Sequence, residues 1–176
     1  MSIFFPQTEQ NNILHYNSHN LSLSSIMDSQ DDSEHIVGRY IMYKEHGLEE
    51  ILQAMGYNYP SRMAIMNATK YLQIKKYGEY WLMTEYFKSF AVKDSFSLLF
   101  RSGKKFSWTA RNGSEMKSLI TKVGKRFEFR HEPSDLQEYR TLYGEVEFLG
   151  NKEVVMKIKV EEVDGLEAVY NFRKYE

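Results

Sequence analysis

Cysteine is absent from the 176 residues, which excludes disulfides, thiolate metal centres and cysteine nucleophiles. No apolar run approaches the length of a membrane-spanning helix. The amino terminus has no basic region followed by an apolar one, so no secretory signal is expected. An excess of one charge is missing too. With 23 basic and 24 acidic residues, the chain carries no strong field for nucleic acid or an anionic membrane. The Lys-Lys pairs at 75–76 and 104–105 read as solvated turns, and no nucleic-acid partner is expected. His15, His19, His35, His46 and His131 are scattered and never stand at H-x-H or H-E-x-x-H spacing, so no metal is expected. There is no G-x-S-x-G elbow and no phosphate loop. These absences nominate no catalytic residue and no cofactor, and the expectation is a non-enzyme.

What the chain has is aromatic side chains, at 15% with 13 Tyr and 11 Phe. Such residues fit a pleated, half-buried surface. At this length one domain with a real core is expected. Residues 1–35 are rich in Ser, Asn, Gln and Asp and show no period, which predicts a disordered polar leader. A docking peptide around Ile13 to Leu23, and a start of translation at Met27, are alternatives for that stretch.

Pattern begins at Val37. A strand over Gly38 to Lys44 runs into an amphipathic helix in which Leu48, Ile51, Leu52 and Met55 form one apolar stripe at i, i+3, i+4 and i+7. Gly56 closes that helix, and Pro60 opens a second short one. Helices of about two to three turns are marginal alone and need a surface to lie on. Strand-like segments then follow at regular spacing. They run Tyr71 to Lys76, Tyr80 to Phe87, Phe96 to Phe100, Phe106 to Thr109, Met116 to Val123, Arg126 to His131, Glu138 to Leu149, Glu153 to Val163 and Leu166 to Tyr175. Gly78-Glu79, Arg111-Asn112-Gly113, Gly124, Gly150-Asn151 and Asp164-Gly165 mark turns. Gly144 inside its strand predicts a bulge or sharp bend. Counting the first strand gives roughly ten, and regular short strands with tight turns mean an antiparallel sandwich or barrel.

Several of these segments resemble a known family. Gly38-x-Tyr40-x-Met42, followed by Gly47-Leu48-Glu49-x-Ile51-Leu52 and Ala54-Met55-Gly56-x-x-Tyr59-x-x-Arg62, is similar to the opening strand and two-helix lid of the intracellular fatty-acid-binding proteins. These are the cytosolic lipid-binding proteins of the calycin superfamily. Phe100-x-x-Gly103-x-x-Phe106 resembles the fourth strand and its turn, Lys117-Ser118-Leu119-Ile120-Thr121 the fifth, and Arg173-x-Tyr175 the closing R-x-Y. The resemblance spans residues 36–176. It implies a mainly β fold, a ten-stranded antiparallel up-and-down β-barrel (a clam) capped by a helix-turn-helix.

The same resemblance implies a cytoplasmic monomer, able to enter the nucleus. It would carry a long-chain fatty acid or related lipid, with transient membrane contact through the lid. It assigns the ligand carboxylate to Arg173 and Tyr175, whose i, i+2 spacing puts them on one face of a strand. Leu48, Leu52, Tyr57, Ile65, Phe90 and Phe106 would line the cavity or its doorway, with Tyr57 and Phe90 narrowing the entrance.

The chain departs from the family where a second arginine belongs. Counting along the strand reaches Val146 or Tyr143, and Arg140 would serve only after a slip of three residues that flips its face. Trp108, Asn112 and Ser114 stand where charged cavity residues are usual. The alternatives are a neutral or retinoid-type lipid as ligand, or an empty barrel acting as a membrane or protein interaction module.

Overall fold

A computed structural model describes residues 33–89, 93–110, 114–135, 140–161, 163 and 165–175. The expected leader, apart from residues 33–35, lies outside them, as does Phe90. Among the described residues the chain opens with a helical turn, α1 (Ser33–Ile36), ahead of the boundary expected at residue 36. Ile36 is completely buried, and its carbonyl accepts a 2.9 Å bond from the Tyr40 hydroxyl.

Ten strands follow: β1 (Gly38–His46), β2 (Thr69–Tyr77), β3 (Tyr80–Lys88), β4 (Lys93–Arg101), β5 (Lys105–Thr109), β6 (Glu115–Val123), β7 (Arg126–Pro133), β8 (Leu142–Leu149), β9 (Glu153–Val160) and β10 (Glu167–Lys174). Each pairs antiparallel with its chain neighbours except β4 with β5, and β1 pairs with β10, so the sheet order is β4-β3-β2-β1-β10-β9-β8-β7-β6-β5. The sheet thus curls into the expected up-and-down barrel with one seam. Across that seam, rings take the place of backbone bonds. Phe96 and Trp108 lie 4.6 Å apart and Phe100 stacks on Phe106 at 6.1 Å.

Alternation decides which side chains face in. Along β10, Ala168, Tyr170 and Phe172 are buried while Arg173 is exposed. The burial pattern of the other strands continues that wall through Leu72, Ile74, Trp81, Met83, Leu98, Phe100, Ile120, Phe127, Val146, Phe148, Val154 and Met156, all in one core. Among the described residues the strand register shifts once, in β1. The register to β10 shifts between Met42 and Lys44, so Tyr43 is an extra, half-exposed residue of a β-bulge. Beyond it Glu45, rather than Lys44, stands opposite Tyr170.

The bulge expected at Gly144 is not there, since β8 keeps an unbroken register with β7 and β9. Gly144 has another cause. A Cβ at that position would overlap the Lys157 carbonyl oxygen and crowd the Phe129 ring, so the residue marks a close approach.

Two helices, α2 (Leu48–Ala54) and α3 (Tyr59–Met66), follow β1. The expected stripe is real: Leu48, Ile51 and Leu52 are buried and Met55 packs on the core. α2 rests on β10 and β9. Gly56 takes the left-handed conformation at φ 80°. The start of α3 is fixed by Asn58, whose side chain accepts from the Ser61 amide at 3.0 Å, just before Pro60. Among the described residues no helix is long and apolar enough to cross a membrane.

Candidate functional site

The interior has two ends of different character. Away from α2 and α3, Tyr40, Trp81, Phe100, Phe127 and Phe148 are at most 4% exposed. Their rings meet edge to face, with Trp81–Phe127 at 5.0 Å, Phe100–Phe127 at 5.6 Å and Phe127–Phe148 at 5.9 Å, the arrangement that ring quadrupoles favour. Lys174 donates to the Val37 carbonyl at 2.9 Å beside this cluster. Burial pushes the Tyr40 hydroxyl up to about 12. This end is filled with protein.

Toward the helices, inward residues keep some accessible surface: Met42, Glu45, Glu85, Phe96, Trp108, Phe129, His131 and Ile158 are only partly buried. Two polar groupings stand among them. In the first, Lys70 Nζ donates to Glu45 Oε2 at 3.1 Å, with the lysine side chain 5% exposed. Opposite Glu45 lies Tyr170, whose ionisation is pushed far up by burial first, then by the carboxylates of Glu85 and Glu45. In the second, the Trp108 indole N–H meets Ser118 Oγ at 2.6 Å, and Ser118 Oγ meets His131 Nδ1 at 2.6 Å. His131 stacks on Phe129 at 5.0 Å and takes the Trp108 ring edge to face at 5.7 Å. Burial holds its imidazole at about 4, well below the usual 6.5.

The expected site residues divide sharply. Leu48 and Leu52 of α2 are buried in the core, Tyr57 and Ile65 pack on the same core, and Phe106 faces inward onto Phe100. Arg173 and Tyr175 are not inside. Arg173 is exposed on the outer face of β10, opposite Ile41 and Glu153. Tyr175 is 47% exposed, and its ring lies 5.8 Å from Tyr71, which has the same outer parity. With Arg39, Tyr71, Gln73 and Tyr86, Tyr175 lines a separate cleft of about 670 Å³. The i, i+2 spacing does put Arg173 and Tyr175 on one face, but it is the face turned away from the barrel. The inward positions of β10 belong to Tyr170 and Phe172 instead.

Sequence reasoning missed Ser118, His131, Lys70 and Glu45. The signal for His131 was present, since the inward alternation of Phe127 and Phe129 runs on to it. No signal marked Glu45, because only the bulge turns it inward. Val146, one of the positions counted for a second arginine, is completely buried in the apolar wall. Among the described residues no cluster of His, Asp and Glu could hold a metal ion.

No family model matches the chain, and no curated protein matches it by sequence. Solved structures do match in shape. Apo Caenorhabditis elegans lipid binding protein 8 is 19% identical with a TM-score of 0.70, over 85% of this chain and 100% of that one. A Schistosoma mansoni fatty acid binding protein in complex with arachidonic acid is 15% identical with a TM-score of 0.67, over 81% and 97%. Human cRBP IV is 15% identical with a TM-score of 0.62, over 80% and 98%. These likenesses show the fold that the chain shares with fatty-acid-binding and lipid-binding proteins.

Proposed function

From a barrel of the fatty-acid-binding fold, we propose that this protein is a non-enzymatic carrier of a long-chain lipid, a fatty acid or a neutral analogue, held inside the barrel beneath the α2–α3 lid. One observation carries the reading: the inward wall is mainly apolar, and its half nearest α2 and α3, where the two polar groupings stand, keeps accessible surface while the far end is packed shut. Each methylene buried there contributes about 0.8 kcal/mol before ordering costs. The acyl chain therefore dominates affinity. The lid is the entry route in this reading, because α3 has no fully buried residue and its contact with the rest of the barrel is the weaker of the two helices.

Ligand extraction from purified protein followed by mass spectrometry tests the carrier directly, and a co-purifying long-chain lipid is expected. Finding no lipid, with no displacement of a fluorescent long-chain probe, removes the reading. A second reading, an interaction module on an empty barrel, draws on the tight packing of the aromatic end. It predicts liposome or protein binding that is indifferent to added lipid ligand.

A further inference from the structure

The hydrogen-bond chain from Trp108 to His131 fixes what the interior can offer a ligand. An indole N–H only donates, so Ser118 Oγ accepts from Trp108 at 2.6 Å. Ser118 is 3% exposed, and its partners among the described residues are Trp108 and His131. If His131 Nδ1 carried the proton, the serine hydroxyl would be a buried donor with no acceptor, an expensive state. The arrangement that leaves no such orphan has Ser118 donating to Nδ1 at 2.6 Å. The hydrogen of His131 is then on Nε2. No protein acceptor for Nε2 exists among the described residues, and the ring is only partly buried. The interior thus presents a neutral N–H donor, framed by the Trp108 and Phe129 rings.

Its surroundings do not suit an anion. Facing His131 on the paired strands are Ser118 and Leu142, with Trp108 and Phe129 against its ring, and none is charged. Arg173 is outside. Lys70, an inward cation of this half, is held by Glu45 at 3.1 Å, and Arg62 of α3 donates to the Tyr57 carbonyl at 2.9 Å with the Glu49 carboxylate 3.8 Å from its Nε. Glu85 adds further negative charge near Tyr170. A buried carboxylate without a free counter-charge is disfavoured, whereas a hydroxyl or carbonyl oxygen needs only one donor.

Resting on the carrier reading above, we propose that His131 Nε2, positioned by Ser118 and Trp108, is the head-group anchor of the barrel, and that it selects long-chain lipids with a neutral oxygen head over fatty acids. His131 would touch the ligand. Ser118 and Trp108 act through it by fixing its tautomer and ring orientation.

The test titrates delipidated full-length protein with a primary alcohol, a carboxylic acid and an unsubstituted hydrocarbon of one chain length, at pH 6, 7 and 8. The alcohol should bind about 10-fold tighter than the hydrocarbon, one hydrogen bond's effect, and about 10-fold or more tighter than the acid, with no pH dependence. In His131→Phe the alcohol's advantage should disappear while hydrocarbon affinity stays. Ser118→Ala, the milder change, should reduce the advantage without abolishing it. Acid binding as tight as the alcohol at any of the three pH values would overturn the proposal. An alcohol preference untouched in His131→Phe and Ser118→Ala overturns the anchor. Hydrocarbon binding with no gain from either head group overturns it and leaves the carrier standing. No binding of any of the three removes both.

Discussion

Burial sets the charge of His131, and that has a consequence for stability. Its imidazole is held at about 4 against an ordinary 6.5, so as pH falls the unfolded chain takes up the proton first. The contribution of this residue is therefore complete above about pH 6.5 and is lost progressively as pH drops toward 4. Between pH 7 and 4.5 the wild type should lose about 2–3 kcal/mol more than His131→Phe, because each tenfold difference in proton affinity between the folded and unfolded chain is worth about 1.4 kcal/mol. Urea unfolding of both proteins at the two pH values checks it. Lys70 poses the opposite problem, a charge kept buried by its partner Glu45. Removing one partner of a buried pair leaves an uncompensated charge, so Lys70→Met should cost about 3–5 kcal/mol, and adding Glu45→Gln should restore much of it. Equal losses in the single and double variants would show that the pair is not what matters. Arg173 is the contrasting case. Exposed on the outer face, it should be dispensable: Arg173→Ala should leave ligand affinity within about twofold, where an inward carboxylate contact would cost about 1–3 kcal/mol.

At the scale of elements, the lid depends on how β1 hands over to α2. Gly47 precedes α2 in the left-handed conformation at φ 73°, and a Cβ there would overlap the Glu167 carbonyl oxygen at the start of β10. Gly47→Ala therefore meets both backbone strain and a backbone obstacle. It should cost about 1–3 kcal/mol and speed ligand release by lifting α2 from β10, which unfolding and stopped-flow dissociation would measure. Unchanged release with lowered stability would detach the lid from gating. The bulge at Tyr43 belongs to the same strand. Alternation counted from Tyr40 puts Met42 and Lys44 inside, whereas the extra residue brings in Glu45 opposite Tyr170. Nothing local in Met42-Tyr43-Lys44 announces this. The stripe of α2 and the close of that helix at Gly56, by contrast, are local signals and were legible in place.

For the whole molecule, the proposed carrier role has a thermodynamic consequence, because a ligand held inside the barrel would bind the folded state alone. Mass action then stabilises the protein by about 2.7 kcal/mol at a ligand concentration one hundred times Kd. Thermal scans of delipidated protein should show a melting temperature that rises with added long-chain lipid. A flat melting temperature, with liposome binding retained, would favour the interaction module.

About ten strands, their order along the chain and the two short helices were legible in residues 36–176, because hydrophobic period and turn residues are properties of neighbouring positions. That pattern left a sandwich or a barrel, and the capped barrel followed from the family resemblance. The alternation of β10 was legible as well, grouping Arg173 with Tyr175 and Tyr170 with Phe172. Which group faces inward was not. A strand's two faces differ only by what packs against them, and a shift of one residue exchanges them entirely. Only the closed sheet, with Tyr170 and Phe172 set against Met156 and Val154, decided that the arginine lies outside. It also brought Trp108, Ser118 and His131 from three strands into one hydrogen-bonded chain.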